Sequence, residues 1–407
     1  MVPNLTLGPA LPPESVRWVE RTLQLEHFKW DTQVGDVRVI SAQPLLISEG
    51  EWRWLCARAE EATRELLAME REIAECPELQ KYVGVPRALR RLLSGCRSNQ
   101  GFRTFRFDFH PTAIGWVMSE VNSDVPGGFG EASALPELFK QFVGDVTAPT
   151  SPVEIWGCTA ASELEEGAVA VLHAPGYLED QQVAFVLGRE LRRKGFRTHV
   201  IQSPEALDWS TDGVATLAGL PGERLSGVIR FYQAEWLAKF PRKSGWRELF
   251  MHDGFTRVCN PAYSVISESK RLPLSFPFLQ STAHMLSELS PKCIEPIEAA
   301  GYSREDWVLK AAYANTGDAV HIGADLSSGA WNDLLGRARR RPTDWVVQQR
   351  FETLAFESEH GQVHPCVGVF VIGGQAAGAY VRLSRNQVTD GDAMEAPLLI
   401  VAEGSSR

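Results

Sequence analysis

Cysteine is scarce in this sequence and forms no motif. Seven of the 407 residues are Cys, at 56, 76, 96, 158, 259, 293 and 366, and none makes a CxxC pair. The odd count and wide spacing fit reduced thiols in a cytoplasmic protein, not a disulfide framework. Nine histidines include no HExxH motif, which leaves a zinc site with little support. No run of 18 apolar residues occurs, so no membrane span is predicted. The opening MVPNLTLGPALPPESVRW lacks the charged start and apolar stretch of a secretory signal. Positive charge is not in excess either. With 41 Lys and Arg against 51 Asp and Glu, the formal net charge is -10, which argues against nucleic acid as the main partner. A glycine-rich loop is present, but no GK[ST] follows it, so a Walker A site is excluded.

The remaining composition is that of a globular chain. Hydrophobic residues make up 44%, enough for two or three packed units. Residues 1–12 are Pro-containing and read as a loose lead-in. Over 49–76, Trp52, Leu55, Ala59, Ala62, Leu66 and Ile73 recur at helical spacing, which predicts a long amphipathic helix. Phe105, Phe107 and Phe109 then alternate with Arg106, Asp108 and His110, and a second strand over 116–122 completes a predicted hairpin. Further on, AVAVLHAP, LEDQQVAFVLGRELRRKGF and FRTHVIQ read as strand, crossover helix and strand of a parallel α/β unit, which GVIRFYQAEWL continues. The last third is β-rich: WVLKAAY, DWVVQQRFE, and a hairpin turning at Gly373 and Gly374.

The hairpin carries the most chemistry. A turn near Ile114 sets Asp108 opposite Glu120 and Arg106 opposite Asn122, with all four side chains on one face. Facing carboxylates repel unless a cation or proton lies between them. Two carboxylates and an amide oxygen suit magnesium, which also takes water and phosphate oxygens. A solvated, salt-bridged sheet face would give the same pattern, and both readings stay open here. The next loop, NSDVPGGFGEAS, offers backbone N–H groups near Gly127, Gly128 and Gly130 and hydroxyls at Ser123 and Ser133 for an anion. Lys310 ends an apolar strand before a loop containing Gly317, an arrangement that lets a lysine reach nucleotide phosphates; a surface lysine beside a turn is the alternative. Lys270 has no local signature. Arg382 alternates with apolar neighbours on a strand, and its partner is either a phosphate or Glu352.

In order along the chain stand RFDF, EVNSDVPGGFGE, VIRFYQAEWL, NPAYSVISESK, WVLKAAYANTG, WVVQQRFE and GVFVIGGQAAGAYVRLS. This series resembles the circularly permuted ATP-grasp proteins, the group that includes the synthetase domain of glutathionylspermidine synthase. The likeness covers about residues 100–390. It implies an α+β fold: a circularly permuted ATP-grasp core, an adjoining parallel α/β (pre-ATP-grasp-like) domain and a helical N-terminal region. The implied division is 1–95 for the helical region and 96–148 for the first part of the core. The α/β domain and linking helices would then occupy 149–299, and the nucleotide-binding part 300–407.

The resemblance further implies Asp108, Glu120 and Asn122 as Mg2+ ligands and Arg106 as the residue that steadies the transferring phosphoryl group. Lys270, Lys310, Gly317, Gln348, Gln349 and Arg382 would be the ATP contacts, and Ser123, Gly127, Gly128 and Ser133 the donor-substrate loop. The family's lysine–proline start and glycine–arginine loop are replaced here by Lys310, Ala311, Ala314 and Asn315, and 311–323 is the implied lid. The implied activity is ATP-dependent joining of a small peptide or amino-acid carboxylate to an amine through an acyl phosphate. A phosphotransferase or a non-catalytic nucleotide-binding partner protein is the alternative.

Overall fold

The computed structural model describes residues 2–34, 37–93, 101–251, 254–314, 319–359 and 361–402. Its centre is an antiparallel sheet grown from two hairpins. Thr104–Thr112 pairs antiparallel with Gly115–Asn122 on one side and with Gly361–Ile372 on the other. Gly361–Ile372 turns at Gly373 and Gly374 into Gln375–Ser384, which pairs in turn with Met394–Ala396. Phe105, Phe107 and Phe109, fully buried, give this sheet its apolar face. Helix Glu49–Glu75 covers it, and Ala59, Ala62, Leu66 and Met69 join those phenylalanines in one core. The helix begins where the Ser48 hydroxyl accepts from the Glu51 N–H at 3.3 Å, a cap that satisfies one of the free N-terminal donors.

The residues expected to form a loose lead-in do not. Leu5–Leu7 pairs with Leu45–Ser48, which runs parallel to Leu398–Val401. Segments near both ends of the chain therefore share one small sheet, and the helical stretch before residue 95 packs directly on the central sheet.

The predicted α/β unit is present. Ala168–His173 is parallel to Arg197–Ile201 and to Leu220–Phe231, with helix Leu178–Arg193 as the crossover, and Arg257–Cys259 extends the parallel set. A buried ion pair fastens this unit to the central hairpin. The Arg230 guanidinium donates to both Asp124 oxygens, and the Ala234 N–H donates to Asp124 Oδ2 at 2.7 Å. Asn260 bridges the same junction, donating to the carbonyls of Thr104 at 3.0 Å and Ser123 at 2.9 Å.

The fourth layer is a small antiparallel sheet in the order Cys293–Ile294, Trp345–Gln349, Trp307–Ala311, Val320–Ile322. Trp331, Leu335 and Ala338 of helix Ser328–Arg340 pack on Trp307, Leu309 and Val347, giving it a core of its own. Among the described residues, no helix is long and apolar enough to cross a membrane.

Candidate functional site

The predicted pairs are observed: Asp108 lies opposite Glu120, and Arg106 opposite Asn122. The route to that register differs from the one the sequence implied. The turn is tighter, with Thr112 opposite Gly115, and an irregularity after Asp108 inserts one residue, Ser119, into the second strand. Without the extra residue, strict alternation would carry Glu120 and Asn122 to the side where Trp116 and Met118 sit in the core. The bulge turns them to the polar face instead. It is held on three sides: Ser119 Oγ lies 3.0 Å from His110 Nε2 and donates to the Asp108 carbonyl at 3.4 Å, and Gln348 Nε2 donates to the Ser119 carbonyl at 3.3 Å.

Between this face and the small sheet lies a cleft of about 800 Å³. Lys270, Lys310, Arg350 and Arg382 line it, together with Asp108, Glu120, His110 and Gln348. Asp108 is the hub. Arg106 Nε donates to Oδ1 at 2.8 Å, and Oδ2 accepts from Arg382 at 2.6 Å, Arg106 Nη2 at 3.0 Å and Asn122 at 3.1 Å. Burial alone would raise this carboxyl; Arg106 and then Arg382 outweigh it and hold Asp108 well below its usual range. Glu120 lies 3.3 Å from Lys270 Nζ. Burial works against its charge too, but Lys270 lowers it. The repulsion between the two facing acids is thus relieved by protein cations. Arg382 pairs with Asp108 and not with Glu352, which lies 3.2 Å from Arg350 instead.

Lys310 stands apart. It is 8% exposed, and among the described residues its ammonium has no hydrogen-bond or ion-pair partner. Burial, and then Lys270 against the opposing pull of Glu120, lower its affinity for a proton. Lys270 is the opposite case: burial disfavours its charge, but Glu120 and Glu268 raise it above its ordinary value. Burial also keeps His110 neutral, pushing it down to about 4.

Other residues expected in the site are elsewhere. Gln349 is exposed, outside the cleft lining, and its backbone N–H donates to the Lys292 carbonyl at 2.8 Å. The hydroxyls proposed for the donor loop are spent inside the protein. Ser123, wholly buried, donates to the Ser264 carbonyl at 2.9 Å and accepts from Ser267 at 2.8 Å. Ser133 accepts from the Val153 N–H at 3.1 Å. Gly127 takes part through its carbonyl, which accepts from Arg106 Nη1 at 2.9 Å. Gly128 has φ +89°, and a Cβ there would lie 2.4 Å from the Tyr380 ring, so both the backbone and the contact require glycine. Gly317, Asn315 and part of the predicted lid lie outside the described residues.

Two site residues were invisible in the sequence. Gly368 faces Asp108 across the sheet, and a Cβ on it would lie 2.8 Å from Arg106 Cδ and 2.8 Å from Asp108 Oδ1. The missing side chain is the space into which the Arg106–Asp108 pair leans. Replacing Gly368 by Ala is expected to separate that pair, cost about 2 kcal/mol as local overpacking and weaken anion binding in the cleft. Denaturant unfolding and phosphate titration check this; unchanged values would show that the close approach is dispensable. Tyr380, the second, stands opposite Gly368 on the next strand.

Tyr380 leads to a separate buried cluster. Its hydroxyl donates to Glu395 at 2.8 Å, and Lys29 Nζ lies 2.9 Å from Glu395, 2.9 Å from Glu131 and 3.0 Å from Asp31. Three carboxylates for one ammonium leave two in excess. Burial pushes Glu395 up to about 8. Its folded-state value is above the unfolded one of 4.5, so the folded protein holds the extra proton between the two values, and stability falls as pH rises through that window. Glu395→Gln is expected to flatten the fall between pH 5 and 8 by at least about 1 kcal/mol. Parallel urea curves for the two proteins at both pH values would contradict this.

Two antiparallel layers enclosing a cleft rich in lysine and arginine define an ATP-grasp-related α+β protein. The family model described as "Glutathionylspermidine synthase preATP-grasp" matches residues 14–401, and the chain belongs to that family. No curated protein matches it. Among solved structures it is similar to a glutathione synthetase like-effector from Globodera pallida in apo form, at 13% identity and a TM-score of 0.63. That match covers 97% of this chain and 100% of the other. At this identity the likeness is one of fold.

Proposed function

We propose that this chain is an ATP-dependent carboxylate–amine ligase acting through an acyl phosphate, on a circularly permuted ATP-grasp core. The observation that carries the reading is the single cleft shared by Asp108, Glu120, Lys270, Lys310, Gln348 and Arg382, which come from segments far apart in sequence. A carboxylate does not acylate an amine at neutral pH, because oxide is a poor leaving group. Transfer of the γ-phosphoryl group to the carboxylate oxygen supplies a leaving group; amine attack then expels phosphate and leaves ADP and an amide. In this scheme Lys310 and Lys270 hold the α- and β-phosphates, and Arg106 and Arg382 take the charge that grows on the transferring oxygens. Residues 149–299 build the substrate side, and Gly127 and Gly128 border the donor carboxylate.

Asp108, Glu120 and Asn122 would hold Mg2+. Among the described residues no three His, Cys, Asp or Glu side chains converge on a cation position. The fit is therefore to an ion completed by phosphate oxygens and water, which is the ordinary habit of magnesium at nucleotides. Such an ion supplies charge neutralisation to the phosphates. Since Asp108 is held by two arginines, cation binding is expected to require the nucleotide, whose phosphates take those arginines over.

The substrate pair is a small peptide or amino-acid carboxylate and an amine. The test is a panel of carboxylates and amines scored by ADP release and product mass. A ligase yields an amide with ADP. ADP release that needs no carboxylate, with no amide across a broad panel, would overturn the reading, and a stable phosphorylated product would replace it with a phosphotransferase.

A further inference from the structure

We infer that Tyr380 is the positioning residue for the two arginines that hold Asp108, Arg106 and Arg382, and that it acts through the face of its ring. The argument starts from a row of four residues across the central sheet: Glu120, Asp108, Gly368, Tyr380. Because Gly368 has no side chain, the Arg106 side chain crosses its place and reaches the ring, with Cζ 5.4 Å from the ring centroid. Arg382, two residues beyond Tyr380 on the same strand and therefore on the same face, brings its Cζ to 5.5 Å from the same centroid. One ring thus serves two guanidinium groups, each at cation–π range.

A planar guanidinium needs more than one anchor to be fixed in direction. Here each arginine has Asp108 at its donor edge and Tyr380 at its face. When phosphate oxygens compete for the donor edge, Asp108 is the contact that loosens, and the ring is the contact that stays. The ring is itself fixed from two directions. Its hydroxyl is tied to Glu395, and Gly128 packs against its ring carbons so closely that no Cβ fits between them. The same Gly128 belongs to the loop whose Gly127 carbonyl holds Arg106. Tyr380 therefore sets the arginines and the glycine loop relative to one another.

This inference rests on the phosphate-cleft reading for its binding test, so a second measurement is chosen that does not. Affinity for the β,γ-imido analogue of ATP with Mg2+ is measured by calorimetry, well below the melting temperature, for wild type, Tyr380→Phe and Tyr380→Leu. Tyr380→Phe keeps the ring and is expected to bind within about twofold of wild type; Tyr380→Leu is expected to bind about tenfold more weakly or worse. A merely structural role would lower the melting temperature of Tyr380→Leu and leave the affinity of the folded protein unchanged, which would overturn the inference. Equal losses in both variants would overturn it too, since the hydroxyl and not the ring would then matter. The second measurement is NMR of the Arg106 and Arg382 side chains without nucleotide, assigned by Arg106→Lys and Arg382→Lys. Ring-current shifts present in wild type and Tyr380→Phe, and lost in Tyr380→Leu, are expected; shifts unaltered by Tyr380→Leu would overturn the inference. If wild type bound no nucleotide analogue, the proposed function would fall while the NMR result still decided the role of the ring.

Discussion

Asp108→Asn is expected to remove nucleotide binding and also to destabilise the protein, by about 3 kcal/mol, because it leaves the buried Arg106 and the half-buried Arg382 without their counter-charge. Asp108 is 1% exposed and accepts from both Arg106 and Arg382. On sequence grounds the same change would be read as a functional loss with the fold intact. The structure changes that expectation, since the carboxylate is both the cleft's hub and its internal neutraliser. The two roles separate experimentally through anions. Inorganic phosphate should restore stability to Asp108→Asn more than to wild type, because an anion can replace the missing carboxylate between the guanidinium groups; at one hundred times its Kd, a ligand adds about 2.7 kcal/mol. The pH dependence has a definite sign. Asp108 is depressed below its ordinary value of 3.8, so its contribution is present above that pH and lost as pH falls below it. The gap between wild type and variant should therefore close in acid. Equal stabilisation of both proteins by phosphate would mean that Asp108 does not neutralise this pair.

How much of this was legible in the sequence depends on the range of the contact. The hairpin was readable because a period of two and a short turn determine which residues face one another. Its bulge was not, because Ser119 looks like any strand residue until His110 and Gln348 hold it. The assumed turn was one position off, and the bulge restored the register by one residue, so the correct pairing of Asp108 with Glu120 came partly from compensating shifts. Tyr380 and Gly368 carry no local signal at all. They matter because strands some 260 residues apart along the chain lie side by side, with Gly368 opposite Asp108. Ser123 misled for a related reason: a small polar residue in a glycine-rich loop looks available for a ligand, yet here it fills a buried junction with Ser264 and Ser267.

Lys310 supplies the opposite test, because its effects on stability and on binding are expected to have opposite signs. A buried ammonium with no hydrogen-bond or ion-pair partner among the described residues, 8% exposed and repelled by Lys270, is a cost to the folded protein. Lys310→Met keeps most of the side-chain volume between Val308 and Ala311 and removes the charge. The variant should be at least as stable as wild type at pH 7, and more stable by about 1 kcal/mol if the cleft admits little water. Nucleotide affinity should meanwhile fall by about a hundredfold, the scale of a buried lysine–phosphate contact. The sign with pH follows from the lowered proton affinity of this lysine. Its folded-state pKa is below the unfolded one, so the unfolded chain binds more protons between them, and wild-type stability rises with pH as it approaches 10.5. Lys310→Met should lack that rise. Thermal melts with and without the ATP analogue, at pH 7 and pH 10, measure all three effects. A surface lysine of no consequence would leave every one of them near zero, and a structural lysine would lower stability at pH 7. Only a group kept in place for an absent anion gives greater stability and weaker binding from the same substitution.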